Sequence, residues 1–229
     1  MTGDADRGGR DAPGVFPEDY HDYVFKDGRL VGDFDNMYRH AKGVPWDQDT
    51  RCDRWYAQVA MAMLAEEAPY DSILEIGCGL GYITAKLKVF TRGEDSPVHA
   101  FDLSTEAVRK ASSLHPGISF YVDDIAAPSF RPRQQYHLVV VRDVFWYLVP
   151  KLQTVAANIR ACIRPEGRLY IGQSFPRLDG PFVGKETIPT PEALLALFPD
   201  FDPIYSAQLR NHRLVADGPI LHFLGSRAR

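Results

Sequence analysis

The sequence predicts an α/β fold: a doubly wound, seven-stranded, mostly parallel sheet that ends in an antiparallel hairpin at the carboxyl terminus. Apolar segments alternate with segments of good helix formers between about residues 70 and 174, as in α/β proteins. The segment YHLVVVRD contains the unbroken apolar run of a parallel strand that is buried on both faces. Near the carboxyl terminus, Asp-Gly lies between two apolar runs, which is a hairpin signal.

The predicted elements follow one another in a regular order. A helix in RCDRWYAQVAMAMLAEEA, whose apolar residues recur at helical spacing, precedes the first strand. Ser104 is expected to cap the helix after the second strand, and Pro150 to open the helix after the fourth. The predicted strands are SILEIG, VHAFDL, ISFYVDD, YHLVVVRD, RLYIGQS, PIYSAQLRNHRLV and PILHFLGSR. The other predicted helices are YITAKLKVF, STEAVRKASSL, PKLQTVAANIRACI and TPEALLALF, and RPEG is a predicted turn.

The amino-terminal quarter of the chain has a different character from the rest. Residues 1–14 are polar and glycine-rich, and we expect them to form a disordered tail. Residues 15–56 are rich in Phe, Tyr and Trp, but neither a helical nor a strand period persists up to about residue 50. We therefore expect residues 15–56 to form a lid over a Rossmann-like domain at residues 57–229.

Composition and charge exclude several function classes. The net charge is −4 and no cluster of Lys and Arg is present, so we predict no nucleic-acid partner. No run of about 20 apolar residues occurs, so we predict no membrane partner. Cys52, Cys78 and Cys162 have neither disulfide nor zinc-site spacing, which indicates a cytoplasmic protein without a metal. The sequence makes no prediction about the oligomeric state.

Three glycines directly follow the first predicted strand of the sheet. Gly77, Gly79 and Gly81 form the pattern G-x-G-x-G, and Tyr82 replaces the third glycine of the dinucleotide fingerprint G-x-G-x-x-G. That third glycine allows close packing beneath a pyrophosphate, so its absence disfavours a dinucleotide. No Gly-Lys-Ser/Thr follows, which excludes a P-loop. The glycines therefore predict a backbone bend against a ligand without phosphates.

Acidic residues lie at the ends of three successive predicted strands. Glu75 precedes the glycines, Asp102 ends the second strand, and Asp123 and Asp124 end the third. A carboxylate such as Glu75 is a poor neighbour for phosphate and a good neighbour for a cation. Asp102 has the position from which an acidic residue accepts hydrogen bonds from ribose hydroxyls. A cationic adenosine derivative fits this set of acceptors.

Five motifs occur in order between about Tyr70 and Ser174: LEIGCGLG, AFDLS, VDDI, LVVVRDVFWYL and IRPEGRLYIG. Together they resemble the class I S-adenosylmethionine-dependent methyltransferases. The resemblance implies S-adenosyl-L-methionine as cofactor and S-adenosyl-L-homocysteine as product, with the carbonyl of Arg142 facing the methionyl ammonium. The predicted cofactor-binding residues are Trp46, Arg54, Glu75, Gly77, Cys78, Gly79, Gly81, Asp102, Leu103, Asp124, Ile125 and Arg142.

The expected lid, with Trp46, Arg54 and Trp55, and the run FWYL are similar to nodulation and antibiotic amino-sugar N-methyltransferases. This second resemblance implies a small-molecule acceptor in natural-product biosynthesis, a cationic amino sugar or aminoglycoside. The candidate catalytic residues are Asp143, Tyr147 and His40. Asp143 would dock the ammonium and help to remove its proton.

Three alternatives remain open. An O-methyltransferase for a small hydroxylated metabolite shares the fold and the cofactor, and would use His40 or His21 as base. A nicotinamide-dependent oxidoreductase needs a Tyr-x-x-x-Lys pair on a helix, which we do not expect in this chain, and the third glycine, whose place Tyr82 occupies. A non-catalytic adenosine-binding subunit would not need both Asp102 and Asp124.

Overall fold

The computed structural model describes residues 17–176, 183–210 and 217–227. The predicted tail at residues 1–14 lies outside these ranges. The strands are β1 (Phe25–Lys26), β2 (Arg29–Leu30), β3 (Ile73–Ile76), β4 (Val98–Asp102), β5 (Ser119–Val122), β6 (Tyr136–Arg142), β7 (Ile163–Pro176), β8 (Phe201–Leu209) and β9 (Asp217–Arg227). The α-helices are α1 (His21–Val24), α2 (Phe34–His40), α3 (Gln48–Arg51), α4 (Trp55–Glu66), α5 (Tyr82–Leu87), α6 (Thr105–Leu114), α7 (Phe145–Leu148), α8 (Leu152–Cys162) and α9 (Pro191–Leu195). Short 3₁₀ turns occupy Pro45–Asp47, Lys88–Phe90 and Val149–Lys151.

The main sheet has seven strands in the order β5-β4-β3-β6-β7-β9-β8, which confirms the predicted fold class. The first five strands in this order are parallel, and β9 pairs antiparallel with both β7 and β8. The chain order reverses direction across the sheet between β3 and β6. In open α/β sheets the ligand lies at the carboxyl ends of the strands at such a switch point. The topology therefore places the candidate site beside the glycines that follow β3.

Both faces of the parallel sheet are covered, which explains why β3 and β6 are so apolar. On one face, Val139, Val141 and Ile171 pack with α8 and α9. On the other face, Val140 and Tyr170 pack with α4 and α5. All four residues of β3 are buried, and Glu75 is the charged one among them.

The hairpin prediction needs a correction in its turn. Asp217 and Gly218 do not connect the two strands, because they begin β9, whereas β8 ends at Leu209. Residues 211–216, between these two strands, lie outside the described residues. The predicted RPEG turn interrupts β7 near its start, where Glu166 has a φ of 59° and the register with β6 shifts.

The amino-terminal segment (residues 17–54) contains more regular structure than the sequence predicted. It holds α1, the β1–β2 hairpin, α2 and α3. The helix α2 has seven residues, too few to show a helical period, and Asp33 caps it by accepting from the Asn36 amide at 3.4 Å. Packing supplies its stability, since Met37 and Tyr38 are buried against Ala107 of α6. The helix predicted from Arg51 begins at Trp55.

None of the helices in residues 17–176, 183–210 and 217–227 is long and apolar enough to span a membrane. The three cysteines are free and buried.

Candidate functional site

The glycine loop joins β3 to α5 and adopts a left-handed backbone at alternate residues. The φ angles of Gly77, Gly79 and Gly81 are +73°, +54° and +78°. Residues with a Cβ atom rarely adopt this region because the side chain collides with the following carbonyl. The backbone conformation therefore requires glycine at every second position. Gly81 also ends the loop as the residue before α5.

The loop packs directly against the segment that follows β6. A Cβ atom on Gly77 would lie 2.3 Å from Cγ1 of Val144. Val144 therefore fits only against a glycine, and this contact fixes Asp143 beside the loop. Gly81 has a packing role as well, because a Cβ atom there would lie 2.6 Å from Cζ of Phe120.

The amino-terminal segment contacts the same loop from the other side. A Cβ atom on Gly79 would lie 2.4 Å from Oε1 of Gln48 and 2.8 Å from the hydroxyl oxygen of Tyr38. The Leu80 amide donates to Gln48 Oε1 at 2.8 Å, and Gln48 Nε2 donates to the Tyr38 hydroxyl at 2.9 Å. Gln48 thus bonds the segment to the loop backbone.

The turn before Gln48 holds two non-glycine residues in the left-handed region. Trp46 and Asp47 have φ angles of 54° and 49°. Each such residue costs about 1–2 kcal/mol, so surrounding contacts must hold the turn in place. The half-buried Trp46 supplies several of them, with ring centroids 5.4 Å from Tyr20, 6.3 Å from Tyr38 and 5.9 Å from Tyr147.

Asp102 at the end of β4 links the loop to α6. Its Oδ2 accepts from the Gly79 amide at 2.9 Å, and its Oδ1 accepts from the Ser104 amide at 2.9 Å. Burial raises the pKa of Asp102 above its usual value. Ser104, the predicted cap, accepts from the Ala107 amide and donates its hydroxyl to Asp35 at 2.6 Å. Asp35 is therefore a second tie between the amino-terminal segment and the site.

Glu75 lies beneath the loop with its carboxylate out of water. Only 3% of the residue is exposed, and Oε2 accepts from the Thr84 hydroxyl at 2.5 Å. Burial raises the pKa of Glu75 to about 7, although Thr84 and the charge of Arg142 act in the opposite direction. A buried carboxylate of this kind suits a cationic ligand and opposes a phosphate.

The residues predicted to bind the adenosine end lie along the rim of β4 and β5. Leu103 is 52% exposed, whereas Cys78 and Ile125 are buried. Asp124 uses Oδ1 to accept from the Ala126 amide at 2.8 Å, and the Ile125 carbonyl accepts from Asn158 at 2.8 Å. Both residues are thus held in place by the protein.

The end of β6 presents the candidate catalytic residue Asp143 in a fixed, exposed position. Its φ of 51° is left-handed, its amide donates to the Gly172 carbonyl at 2.8 Å, and its Oδ1 accepts from the Ser174 amide at 2.7 Å. Tyr147 follows in α7, where Phe34 packs against it at 5.5 Å. Burial raises the pKa of Tyr147 above its usual value, so the hydroxyl stays protonated.

Three residues considered in the sequence analysis have no described contact with the glycine loop. Arg54 is exposed and immediately precedes α4. Its charge affects the pKa of Tyr56, as do the charges of Arg142 and Asp143. His40 is half-buried in the last turn of α2. His21 is exposed, with its Nδ1 2.9 Å from Asp19 Oδ1. The roles of these residues stay predictions.

Sequence reasoning missed Gln48, Tyr38, Asp35 and Thr84 as parts of the site. The segments that contain the first three show no motif, and only the folded backbone brings them to the glycine loop. Thr84 carried a weak signal, since it is a polar residue on the buried face of a helix that follows a strand with an acidic residue near its end.

The expected absence of a Tyr-x-x-x-Lys pair is wrong, because Tyr82 and Lys86 of α5 have this spacing. Lys86 is nevertheless bound to Asp53 at 2.6 Å, and Tyr82 packs edge-on against His115.

The residues present fit an adenosyl cation. The buried Glu75, the Asp102 carboxylate and Asp124 supply acceptors and negative charge at the ends of three neighbouring strands. A pyrophosphate would favour lysine or arginine side chains at the loop, and none is among the nearest contacts of Gly77, Gly79 and Gly81. In the part of the chain that the structure describes, no three His, Cys, Asp or Glu side chains are grouped as metal ligands.

Alanine at position 79 tests the bond between the loop and the amino-terminal segment. In Gly79→Ala, we expect the free energy of unfolding to fall by about 1–2 kcal/mol, because the φ angle is left-handed and the Cβ atom displaces Gln48. Denaturant unfolding measures the loss, and amide hydrogen exchange at Leu80 should become faster. In the control Gly93→Ala, a Cβ atom meets nothing within 4 Å. Equal losses of unfolding free energy in Gly79→Ala and Gly93→Ala would contradict the role of the Gly79–Gln48 contact.

The pKa of Glu75 predicts a pH-dependent stability. The usual value is 4.5 and the folded value about 7, so between these pH values the folded chain binds more protons than the unfolded chain. Glu75 then lowers the free energy of unfolding as the pH rises, by about 3 kcal/mol in total. Denaturant unfolding from pH 4.5 to pH 8 should show this fall in the wild type relative to Glu75→Gln. If the unfolding free energies of the wild type and Glu75→Gln changed in parallel with pH, the raised pKa of Glu75 would be contradicted.

Comparisons with known proteins agree with this geometry. Residues 73–167 match a family described as a methyltransferase domain. No curated protein matches the chain.

Solved structures of methyltransferases share the fold. The N-methyltransferase NodS from Bradyrhizobium japonicum WM9 is 20% identical, with a TM-score of 0.63 over 80% of this chain and 99% of NodS. Its complex with S-adenosyl-L-homocysteine gives a TM-score of 0.64 at 20% identity, over 80% of this chain and 93% of that one. An S-adenosylmethionine-dependent methyltransferase from Aquifex aeolicus is 14% identical, with a TM-score of 0.61 over 80% of this chain and 95% of that one.

A structure described by the conversion of a disulfide bond into a thioacetal group during echinomycin biosynthesis is also similar. It is 17% identical, with a TM-score of 0.60 over 85% of this chain and 90% of that one. Fold, site chemistry and family match lead to one conclusion. Residues 73–167 match a methyltransferase domain, and the chain shares the fold of these solved methyltransferases.

Proposed function

We propose that the protein transfers a methyl group from S-adenosyl-L-methionine to an amine nitrogen of a small molecule. The observation that carries the proposal is the exposed carboxylate of Asp143, which the Ser174 amide fixes and the Val144–Gly77 contact places beside the glycine loop. A fixed carboxylate at this position suits an ammonium group. Similarity to an N-methyltransferase, NodS, supports the same nitrogen chemistry.

The chain's own residues hold and orient the reactants. Gly77 and Gly79 allow the close contacts with Val144 and Gln48 that shape the loop, and Glu75, Asp102 and Asp124 provide the acceptors for an adenosyl cation. When bound, S-adenosyl-L-methionine supplies an activated methyl group on a sulfonium. The protein must then align the acceptor with the methyl–sulfur bond, and such positioning is worth up to about 7–11 kcal/mol of the barrier.

The proton on the acceptor is the remaining chemical problem. An ammonium has no lone pair, so the amine must lose a proton before it attacks the methyl group. Asp143 favours the charged form on arrival and can then accept the proton or pass it to water. Tyr147 lies near this carboxylate, whose charge contributes to the raised pKa of the tyrosine. A protonated hydroxyl of this kind can orient the amine by accepting a hydrogen bond.

The sequence-based prediction of an amino-sugar acceptor in natural-product biosynthesis belongs to this proposal. The amine of an amino sugar meets the requirement set by Asp143. The similar structure from echinomycin biosynthesis supports a natural-product setting. The free state of the three cysteines is in keeping with the predicted cytoplasmic location.

Asparagine at position 143 tests the role of the carboxylate. Asn retains an oxygen for the Ser174 amide and tolerates the left-handed backbone, so the fold should persist. We expect kcat/KM for amine acceptors to fall by about 10²–10⁴-fold, since charge and proton acceptor are both lost. Release of S-adenosyl-L-homocysteine measures the rate, and calorimetry should show unchanged cofactor affinity.

The matched control is Asp202→Asn, on the exposed edge strand β8. Its rates should equal those of the wild type. Methylation of hydroxyl compounds but not of amines by the wild-type protein would favour the O-methyltransferase alternative instead.

A further inference from the structure

A row of three paired residues crosses the sheet beside Asp143. Arg142 of β6 pairs with Gly172 of β7, and Gly172 pairs with His222 of β9. Paired residues on neighbouring strands project to the same face, so Arg142 and His222 lie on one face with a glycine between them. Their Cα atoms are about 10 Å apart, because neighbouring strands are separated by about 4.8 Å.

Tyr170 fills the base of this gap and orients His222. A Cβ atom on Gly172 would lie 3.1 Å from the Tyr170 hydroxyl oxygen and 3.4 Å from Cγ of Arg142. The Tyr170 hydroxyl lies 2.7 Å from Nδ1 of His222. When that hydroxyl donates to Nδ1, the neutral imidazole carries its proton on Nε2. The glycine therefore leaves room for the Tyr170 hydroxyl between Arg142 and His222.

Two polar atoms of this row lack a partner among the described residues. They are Nε of Arg142 and Nε2 of His222, which are both buried, and His222 is only 1% exposed. A buried donor without an acceptor costs about 1–3 kcal/mol, and more when it is charged. Arg142 also forms no ion pair within the described ranges, not even with the neighbouring Asp143. The row therefore offers unused donors to an anionic oxygen.

We propose that Arg142, supported by Nε2 of His222, binds a carboxylate of the methyl acceptor while Asp143 binds its amine. The acceptor is then a zwitterion: an amino acid or an amino sugar that carries an acid group. This inference rests on the proposed amine methylation and narrows it. Arg142 and Asp143 are adjacent and oppositely charged but do not form an ion pair with each other. Each can therefore bind the opposite charge of one zwitterionic ligand.

The charges around the row favour a carboxylate over a phosphate ester. Burial and the charge of Arg142 lower the pKa of His222 to about 4, so the imidazole is neutral at neutral pH. The remaining single positive charge matches a monoanion, which a guanidinium binds through two parallel hydrogen bonds. Asp143 and Glu75, whose charges reach Tyr170 and Arg142 respectively, oppose a dianion.

The same charges disfavour an acceptor with several amines and no acid. Burial raises the pKa of Tyr56, and the charge of Asp143 raises it further. The charges of Arg51, Arg54 and Arg142 lower the same pKa. A polycationic aminoglycoside would bring further positive charges close to Arg142. The inference thus replaces the aminoglycoside expected from the sequence with an acidic amine.

The test compares acceptors that differ only in the acid group. Amino acids and 2-amino-2-deoxyuronic acids are each assayed beside their carboxamides, with methylated product identified by mass spectrometry. In the wild type, we expect kcat/KM for the best acid to exceed that of its carboxamide by about 10–100-fold, the value of a charged hydrogen bond. Arg142→Met should remove this preference through a higher KM, and Arg142→Lys should retain part of it.

Controls separate acceptor binding from folding and cofactor binding. Arg142→Lys keeps the backbone carbonyl and the positive charge that lowers the pKa of Glu75, so its affinity for S-adenosyl-L-homocysteine should equal that of the wild type. Arg109→Met, at an exposed arginine of α6, should leave the preference unchanged. Titration of the best acid into the S-adenosyl-L-homocysteine complex gives a readout that does not depend on turnover, and Arg142→Met should weaken it about 10–100-fold.

The outcomes distinguish this inference from the proposed function. Equal methylation of acids and carboxamides would overturn the carboxylate site and leave amine methylation intact. Preference for phosphorylated amines, or loss of S-adenosyl-L-homocysteine affinity in Arg142→Met and Arg142→Lys, would also overturn it. Methylation of hydroxy acids alone, lost in Arg142→Met, would support the carboxylate site and refute the amine.

Discussion

The site depends on one backbone constraint, the left-handed turn at Gly77, Gly79 and Gly81. Each glycine touches a different part of the chain: Val144 after β6, Gln48 and Tyr38 of the amino-terminal segment, and Phe120 of β5. Because no side chain fits between these surfaces, three regions far apart in sequence meet at one point. The Asp102 carboxylate and the Gln48 amide then satisfy the loop's own N–H groups. The loop thus organises both the cofactor surface and the acceptor side of the site.

Electrostatics divide this site into two parts. Around the loop, buried or partly buried carboxylates dominate, and burial raises the pKa of Glu75 to about 7. At the end of β6, an arginine and an aspartate stand side by side without pairing, and the tyrosines on either side are protonated. The first part suits a cation without phosphates, and the second suits a molecule that carries both signs of charge. The chemistry of methyl transfer needs only that the two ligands meet in line.

The fold could be predicted from the sequence because its strands are buried on both faces and carry unbroken apolar runs, as in β6. The glycines and strand-end acids likewise revealed the cofactor side, since left-handed turns and ribose acceptors restrict residue type at fixed positions. The contacts of Gln48 and Asp35 could not be predicted, because they depend on how a short, weakly periodic segment folds back onto the loop. The Arg142–Gly172–His222 row could not be predicted for another reason. It depends on the register of three strands, and the sequence of a single strand does not determine that register.

The most direct measurement is a calorimetric titration of the purified protein with S-adenosyl-L-homocysteine, S-adenosyl-L-methionine and NAD. We expect one binding site for the two adenosyl compounds and no heat of binding for the dinucleotide. We also expect S-adenosyl-L-homocysteine to slow amide exchange at Gly79 and Leu80, because the ligand surface and the Gln48 bond share this backbone. Binding of NAD without binding of either adenosyl compound would contradict this expectation.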